Sequence, residues 1–202
     1  MESLPLAFSS GWASGVNAYL VVLVLGVADR ISDRSDIPDV LARWDVLAIA
    51  GFLYAMEFVA DKIPYVDSTW DVVSTAIRPT AGAVIGALLA GQVPEDARLD
   101  QVALAAVGGG TALVSHLTKT GLRLAVNTSP EPVTNIGVSL AEDLAVLGVV
   151  AVAVQHPRIA AAVAAVLLVA GLLLLFLAIR LVRRGWRRWQ ARRERRAAGT
   201  AR

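Results

Sequence analysis

The chain has 202 residues, 56% of them hydrophobic and 18% charged, with a mean hydropathy of +0.60, which is too apolar for a soluble domain of this size. It contains no cysteine, which excludes disulfides, thiolate metal sites and a cysteine nucleophile. The formal net charge of +2 hides an asymmetry, since ten of the nineteen basic residues are arginines from Arg180 onward.

The apolar residues come in blocks of about 20 separated by short polar links, the pattern of membrane-spanning helices and not of a barrel built from alternating ten-residue strands. The sequence predicts an all-α, polytopic transmembrane helix bundle of about six spans in a single domain, residues 1–182, followed by a basic tail, residues 183–202. The start, MESLPLAFSSGW, has no Lys or Arg ahead of the first apolar block, which argues against a cleaved secretory signal.

The first span is expected over about 6–28. Gly11 and Gly15 form a small-residue face for a neighbouring helix, and Asn17 lies inside the span, where one interhelical hydrogen bond is its simplest role. A polar link, 29–43, leads to a second span over about 44–60. Its end, YAMEFVADKIP, puts Glu57 and Asp61 on one helix face. The next link, 64–79, reads as too polar to cross and as a short surface helix with Trp70, Val73 and Ile77 along one side. Arg78-Pro79 opens a short third span, about 78–89, with Gly82 and Gly86 as a second small-residue face. The fourth span, about 102–118, carries Gly108-Gly109-Gly110 in its middle, read as packing, and ends at His116 and Lys119. Arg123 and the turn-rich NTSPEPVTN follow, then a fifth span over about 136–154 with Glu142 and Asp143 two turns in. A sixth runs over about 159–182.

Ionisable groups inside a span cost a few kcal/mol each unless they face a packed interior or a wet cavity, which marks them as functional candidates. With the arginine tail cytoplasmic by the positive-inside rule, six spans put both termini in the cytoplasm and the protein in the bacterial inner membrane. Every unusual polar group then falls in the cytoplasmic half. Asn17, Glu57, Asp61, Lys62, Arg78, His116, Lys119, Arg123, Asn135, Glu142 and Asp143 form one expected substrate- or ion-binding cluster. Spans two and three, and spans four and five, share a plan that suggests two parallel helical-hairpin repeats. Arg183, Arg184, Trp186, Arg187, Arg188 and Trp189 fit anionic headgroups at the membrane surface better than nucleic acid.

The blocks SGWASGVNAYL, EFVADKIPYVDSTWD with IRPTAGA, and HLTKTGLRLAVNTSPEPVTNIGVSLAED together resemble the bacterial integral membrane proteins grouped as domain-of-unknown-function family 4126. The resemblance covers about 9–157 and implies a multi-pass membrane protein without naming an activity. The residues themselves favour a small transporter or channel for an ion, a proton-coupled solute or an anionic lipid headgroup. Six short spans leave little room for a wide pore, which makes a homodimer plausible. The alternatives are a scaffold docking partners on its cytoplasmic loops and, less favoured, a lipid-phosphate enzyme using His116. No HExxH, GxSxG or phosphate-loop pattern supports catalysis, and no cofactor or metal constellation is present.

Overall fold

The computed structural model describes residues 2–32, 36–63, 66–90, 98–126 and 132–200. Six long helices stand where six spans are expected: α1 (Ser3–Ser32), α2 (Trp44–Ala60), α3 (Val66–Ala90), α4 (Arg98–Val126), α5 (Pro132–Gln155) and α6 (Pro157–Thr200). A short 3-10 turn, Asp39–Ala42, precedes α2, and no strand occurs among the described residues. Four stretches are long and apolar enough to cross a membrane: Ser3–Ser32, Thr69–Ala90, Thr134–Gln155 and Pro157–Arg187. The 17-residue α2 and the more polar α4 complete the bundle.

Small residues set the packing. A Cβ added to Gly11 would stand 2.5 Å from the Gly108 carbonyl oxygen, and one on Gly15 would collide with that of Ala112. On the other side of α4, Gly82 faces Gly108 and Gly86 faces Leu104 at similar closeness. Both predicted small-residue faces are therefore used, and α4 is clasped between α1 and α3. Gly108 and Gly109 serve packing as expected, whereas a Cβ on Gly110 would meet nothing. Backbones approaching this closely gain dispersion contacts, the main attraction available to helices in lipid.

α1 uses its length in an unexpected way. Its backbone leaves the helical region at Asn17 (φ −153°, ψ 95°), dividing it into two arms. The first arm runs beside α6: Glu2 pairs with Arg158 at 3.1 Å, and Trp12 and Val16 share a cavity with Leu167, Leu168 and Gly171. The second arm runs beside α5: Asn17 bonds Asp143, and Leu23, Val27 and Ile31 line a groove with Leu147, Ala151 and Gln155. Gln155 and Arg158 flank the single turn between α5 and α6. Both ends of α1 thus return to the same end of the bundle, and the helix is a V with its tip at Asn17. Asp143 lies twelve residues before Gln155, so the tip stands about 18 Å from that end of the bundle.

This sets Glu2 and the arginine segment at opposite ends of the bundle. Glu2 sits at the beginning of α6, while the arginine segment from Arg180 stands about 35 Å away at its other end. The physical reason is local. Ser14, Gly15 and Asn17 are weak helix formers, and the Asn17 side chain caps a new helix by accepting from the Leu20 N–H at 3.0 Å.

A correction concerns the links. Residues 66–78 continue without interruption into α3, with Pro79 inside the helix, so the third span does not begin at Arg78. The pattern is inside-out: Asp71, Ser74 and Arg78 are buried while Val72, Val73 and Ile77 are exposed. α4 likewise continues past Lys119 to Val126, with Lys119 and Arg123 buried and Leu117 and Leu124 outward. Polar-inward, apolar-outward faces are the arrangement a lipid solvent demands.

The predicted consequence is topological. In this cysteine-free chain, single cysteines at Glu2 and Gln190 should react with a membrane-impermeant thiol reagent from opposite sides of sealed vesicles. Labelling of both from one side contradicts the V.

Candidate functional site

The cluster assembles around the α1 tip. Breaking a helix exposes the last carbonyls of the first arm and the first N–H groups of the second. Lipid offers such groups no partner, and here protein groups satisfy them. The Val16 carbonyl accepts from Lys119 Nζ at 2.9 Å and that of Gly15 from Arg78 Nη1 at 3.5 Å, while the Trp12 carbonyl, still inside the first arm, also accepts from Ser115 Oγ at 2.8 Å. At the start of the second arm, Asn17 Oδ1 accepts from Leu20, and Asn17 Nδ2 donates to Asp143 Oδ1 at 3.0 Å. Cations therefore lie at the negative end of one half-helix and an anion at the positive end of the next, the favourable sense for both dipoles.

Two ion networks extend from the tip. In the first, Arg78 of α3 is 1% exposed and donates to Glu57 Oε1 at 2.7 Å and to Asp71 Oδ1 at 3.3 Å. Its Nη1 also lies 2.9 Å from His116 Nδ1. A guanidinium only donates, so His116 Nδ1 must accept. The ring is therefore neutral, with its proton on Nε2 pointing at Thr75 Oγ1 2.9 Å away, and Thr75 in turn donates to the Asp71 carbonyl.

In the second network, Lys119 and Arg123 of α4 meet Asp61 from the end of α2 and Glu142 of α5. Arg123 Nη2 donates to Asp61 Oδ2 at 2.8 Å and to Glu142 Oε2 at 2.7 Å. Lys119 Nζ lies 3.2 Å from Asp61 Oδ2, 3.3 Å from Glu142 Oε2 and 3.8 Å from Glu57 Oε1, which joins the two networks. Asn135 Nδ2 donates to the Asp61 carbonyl at 3.2 Å. A cavity of about 120 Å³ between α1, α4 and α6 reaches Lys119 and Glu142, roomy enough for water at its polar end.

Ten of the eleven predicted site residues meet here. Lys62 does not: it is half-buried at the rim, donating to the Phe58 carbonyl at 2.8 Å and resting on the Phe58 ring. Asp71, Thr75 and Ser115 were not anticipated. The spacing of 71, 75 and 78 would reveal the first two once the segment is read as helix, but Pro79 argued for a boundary there. In the arginine segment, Arg183, Arg184, Trp186 and Arg187 are exposed on α6, while the side chains of Arg188 and Trp189 lie outside the described residues.

The charges do not balance. Glu57, Asp61, Asp71, Glu142 and Asp143 face Arg78, Lys119 and Arg123, with Lys62 at the rim acting on Asp61 and Asp143 from farther away, an excess of one acid among the described residues. Five acceptor oxygens in the cluster, Glu57 Oε2, Asp61 Oδ1, Asp71 Oδ2, Asn135 Oδ1 and Asp143 Oδ2, are buried without a hydrogen-bond partner. No group of three or more His, Asp or Glu with metal-binding geometry occurs among the described residues.

A family model for a domain of unknown function, DUF4126, matches residues 4–182. The chain belongs to the DUF4126 family. The match takes in α1 to the apolar part of α6 and with it every member of the cluster. No curated protein and no solved structure matches the chain.

Removing one partner from a buried ion pair strands the other, at a cost of about 3–5 kcal/mol. Arg78→Met should therefore lower stability by about that amount by stranding Glu57 and Asp71. Adding Glu57→Gln should recover a measurable part of the loss in thermal unfolding of the detergent-solubilised protein. Equal stability of Arg78→Met and the native protein would show that the network carries no such load.

Proposed function

We propose that this membrane protein is a small transporter that moves an ion or a proton-coupled solute through the charge cluster at the α1 tip. The observation that carries the reading is the V itself, a broken helix with its freed ends set into buried charges. Broken helices are expensive in lipid, and membrane transporters use them to place half-helix ends against substrates and coupling ions. The unbalanced acid supplies the electrostatic pull. A buried cluster with a surplus carboxylate attracts protons or cations, because uncompensated charge in a low-dielectric interior costs several kcal/mol per ion.

The cluster satisfies the broken ends of α1, yet helix association alone is a weak reason for so many buried charges. Buried ion pairs are often no better than apolar packing of equal volume, and the glycine faces already hold these helices together. The docking-surface reading cannot draw on Asp71, Arg78, Lys119 and Arg123, which turn inward, and residues 127–131 of its second link lie outside the described residues. In the proposed orientation the arginine segment of α6 lies on anionic headgroups of the cytoplasmic face of the plasma membrane. The cluster lies in the half nearer that face, and the N-terminus lies outside.

Glu142 joins the cavity to Lys119 and Arg123 and is the wettest member of the network, with its side chain 18% exposed. In proteoliposomes with an entrapped pH dye, the native protein should carry flux under imposed ion or proton gradients. Glu142→Gln should cut the rate about tenfold or more, one lost transition-state interaction of modest size, while inserting normally. Native flux no faster than in protein-free liposomes, or an undiminished Glu142→Gln, would contradict transport through this site.

A further inference from the structure

Asp143 stands apart from the other acids of the cluster. Glu57, Asp61, Asp71 and Glu142 each pair with a guanidinium or ammonium, whereas among the described residues Asp143 has no basic group within ion-pair distance. Its one hydrogen bond comes from the neutral Asn17 amide, which occupies Oδ1. Oδ2 is buried and unpartnered, in a residue 9% exposed. The fields of Lys119, Asp61 and Lys62 reach it only from farther away.

One turn earlier on the same face of α5 lies Ser139, 0% exposed, whose Oγ is also buried without a partner. A serine inside a helix usually satisfies its hydroxyl on the carbonyl four residues back. Ser9, Ser10 and Thr118 do so in this protein, whereas the buried hydroxyls of Ser14, Thr120 and Ser139 do not, and of these Ser139 is the one that shares a helix face with Asp143. Residues four apart on a helix are neighbours, close enough for the carboxylate and the hydroxyl to hold one small ion between them. A third oxygen on the same face, Asn135 Oδ1, is likewise unpartnered.

The donor set selects the ligand. Hard oxygens alone disfavour transition metals, and a single uncompensated carboxylate is too little charge for calcium, which takes six to eight oxygen ligands rich in carboxylate. We propose that Asp143 and Ser139 of α5 form a sodium-type monovalent cation site at the tip of the α1 V. The site deepens the transport reading by naming its coupling ion, and it rests on that reading only for its purpose. Because the other oxygen of Asp143 is held by Asn17, an ion here pulls on the carboxylate that latches the tip, and occupancy and tip position are reciprocally linked.

The test is equilibrium binding of radioactive sodium to the purified full-length protein in detergent, at constant ionic strength balanced with choline chloride. The native protein should bind sodium saturably. Ser139→Ala and Asp143→Asn should each weaken binding about tenfold or more, the scale of losing one ligand or its support, while melting within a few degrees of the native protein in choline. Asn at 143 keeps an oxygen for Asn17, so its fold should survive, and Ser139→Ala leaves the Asn17 contact untouched. No saturable sodium binding above the choline background overturns the site, as does native affinity in both variants. Binding without flux in proteoliposomes would uphold the site and remove the transport reading. Flux without sodium binding would uphold transport and remove the site.

Discussion

A peptide group in lipid cannot go unsatisfied, and much of this bundle follows from meeting that demand at Asn17. The carbonyls freed at the end of the first α1 arm require donors, which Lys119 and Arg78 supply. Buried cations in turn require anions, which Glu57, Asp61, Asp71 and Glu142 supply from α2, α3 and α5. The second arm begins on Asn17 and, through its amide, reaches Asp143. One break in one helix thus touches a chain of dependent pairings across five of the six helices.

The same demand explains why the helices are built inside-out. A soluble bundle buries leucine and exposes lysine, whereas here Lys119 and Arg123 are within a few per cent of full burial and Leu117 and Leu124 face outward. Close approach is delegated to glycine: α1, α3 and α4 touch backbone to backbone along Gly11, Gly15, Gly82, Gly86 and Gly108. The division of labour matters for function. Glycine faces fix the scaffold without charge, so the charged groups are left to hold the tip.

Much of this is legible in the residues. Blocks of about 20 apolar residues announce membrane helices, paired glycines announce their contact faces, and charges inside spans announce a cluster near the arginine-bearing end. The V is not legible, because the apolar count from Leu6 to Ala28 is the same for one straight helix as for two short arms. Only the neighbours of Glu2 and Ile31 distinguish them. Asp71 and Thr75 are hidden for a different reason: Pro79 imitates a helix start, yet α3 runs through it, carrying the polar face of 71–78 inward. Local propensity proposes boundaries, and tertiary packing overrides them when a buried network needs the helix to continue.

The most direct test of the account is a distance. Spin labels placed at Glu2 and Ile31, both exposed, should give a pulsed electron–electron dipolar distance well short of that for an unbroken helix. Thirty residues of straight helix span about 45 Å. The V predicts a narrow distribution centred below about 30 Å, given two arms of about 22 Å converging on one end of α5. A distribution centred near 45 Å would mean that α1 crosses the membrane straight, and the tip, with the site built on it, would not exist.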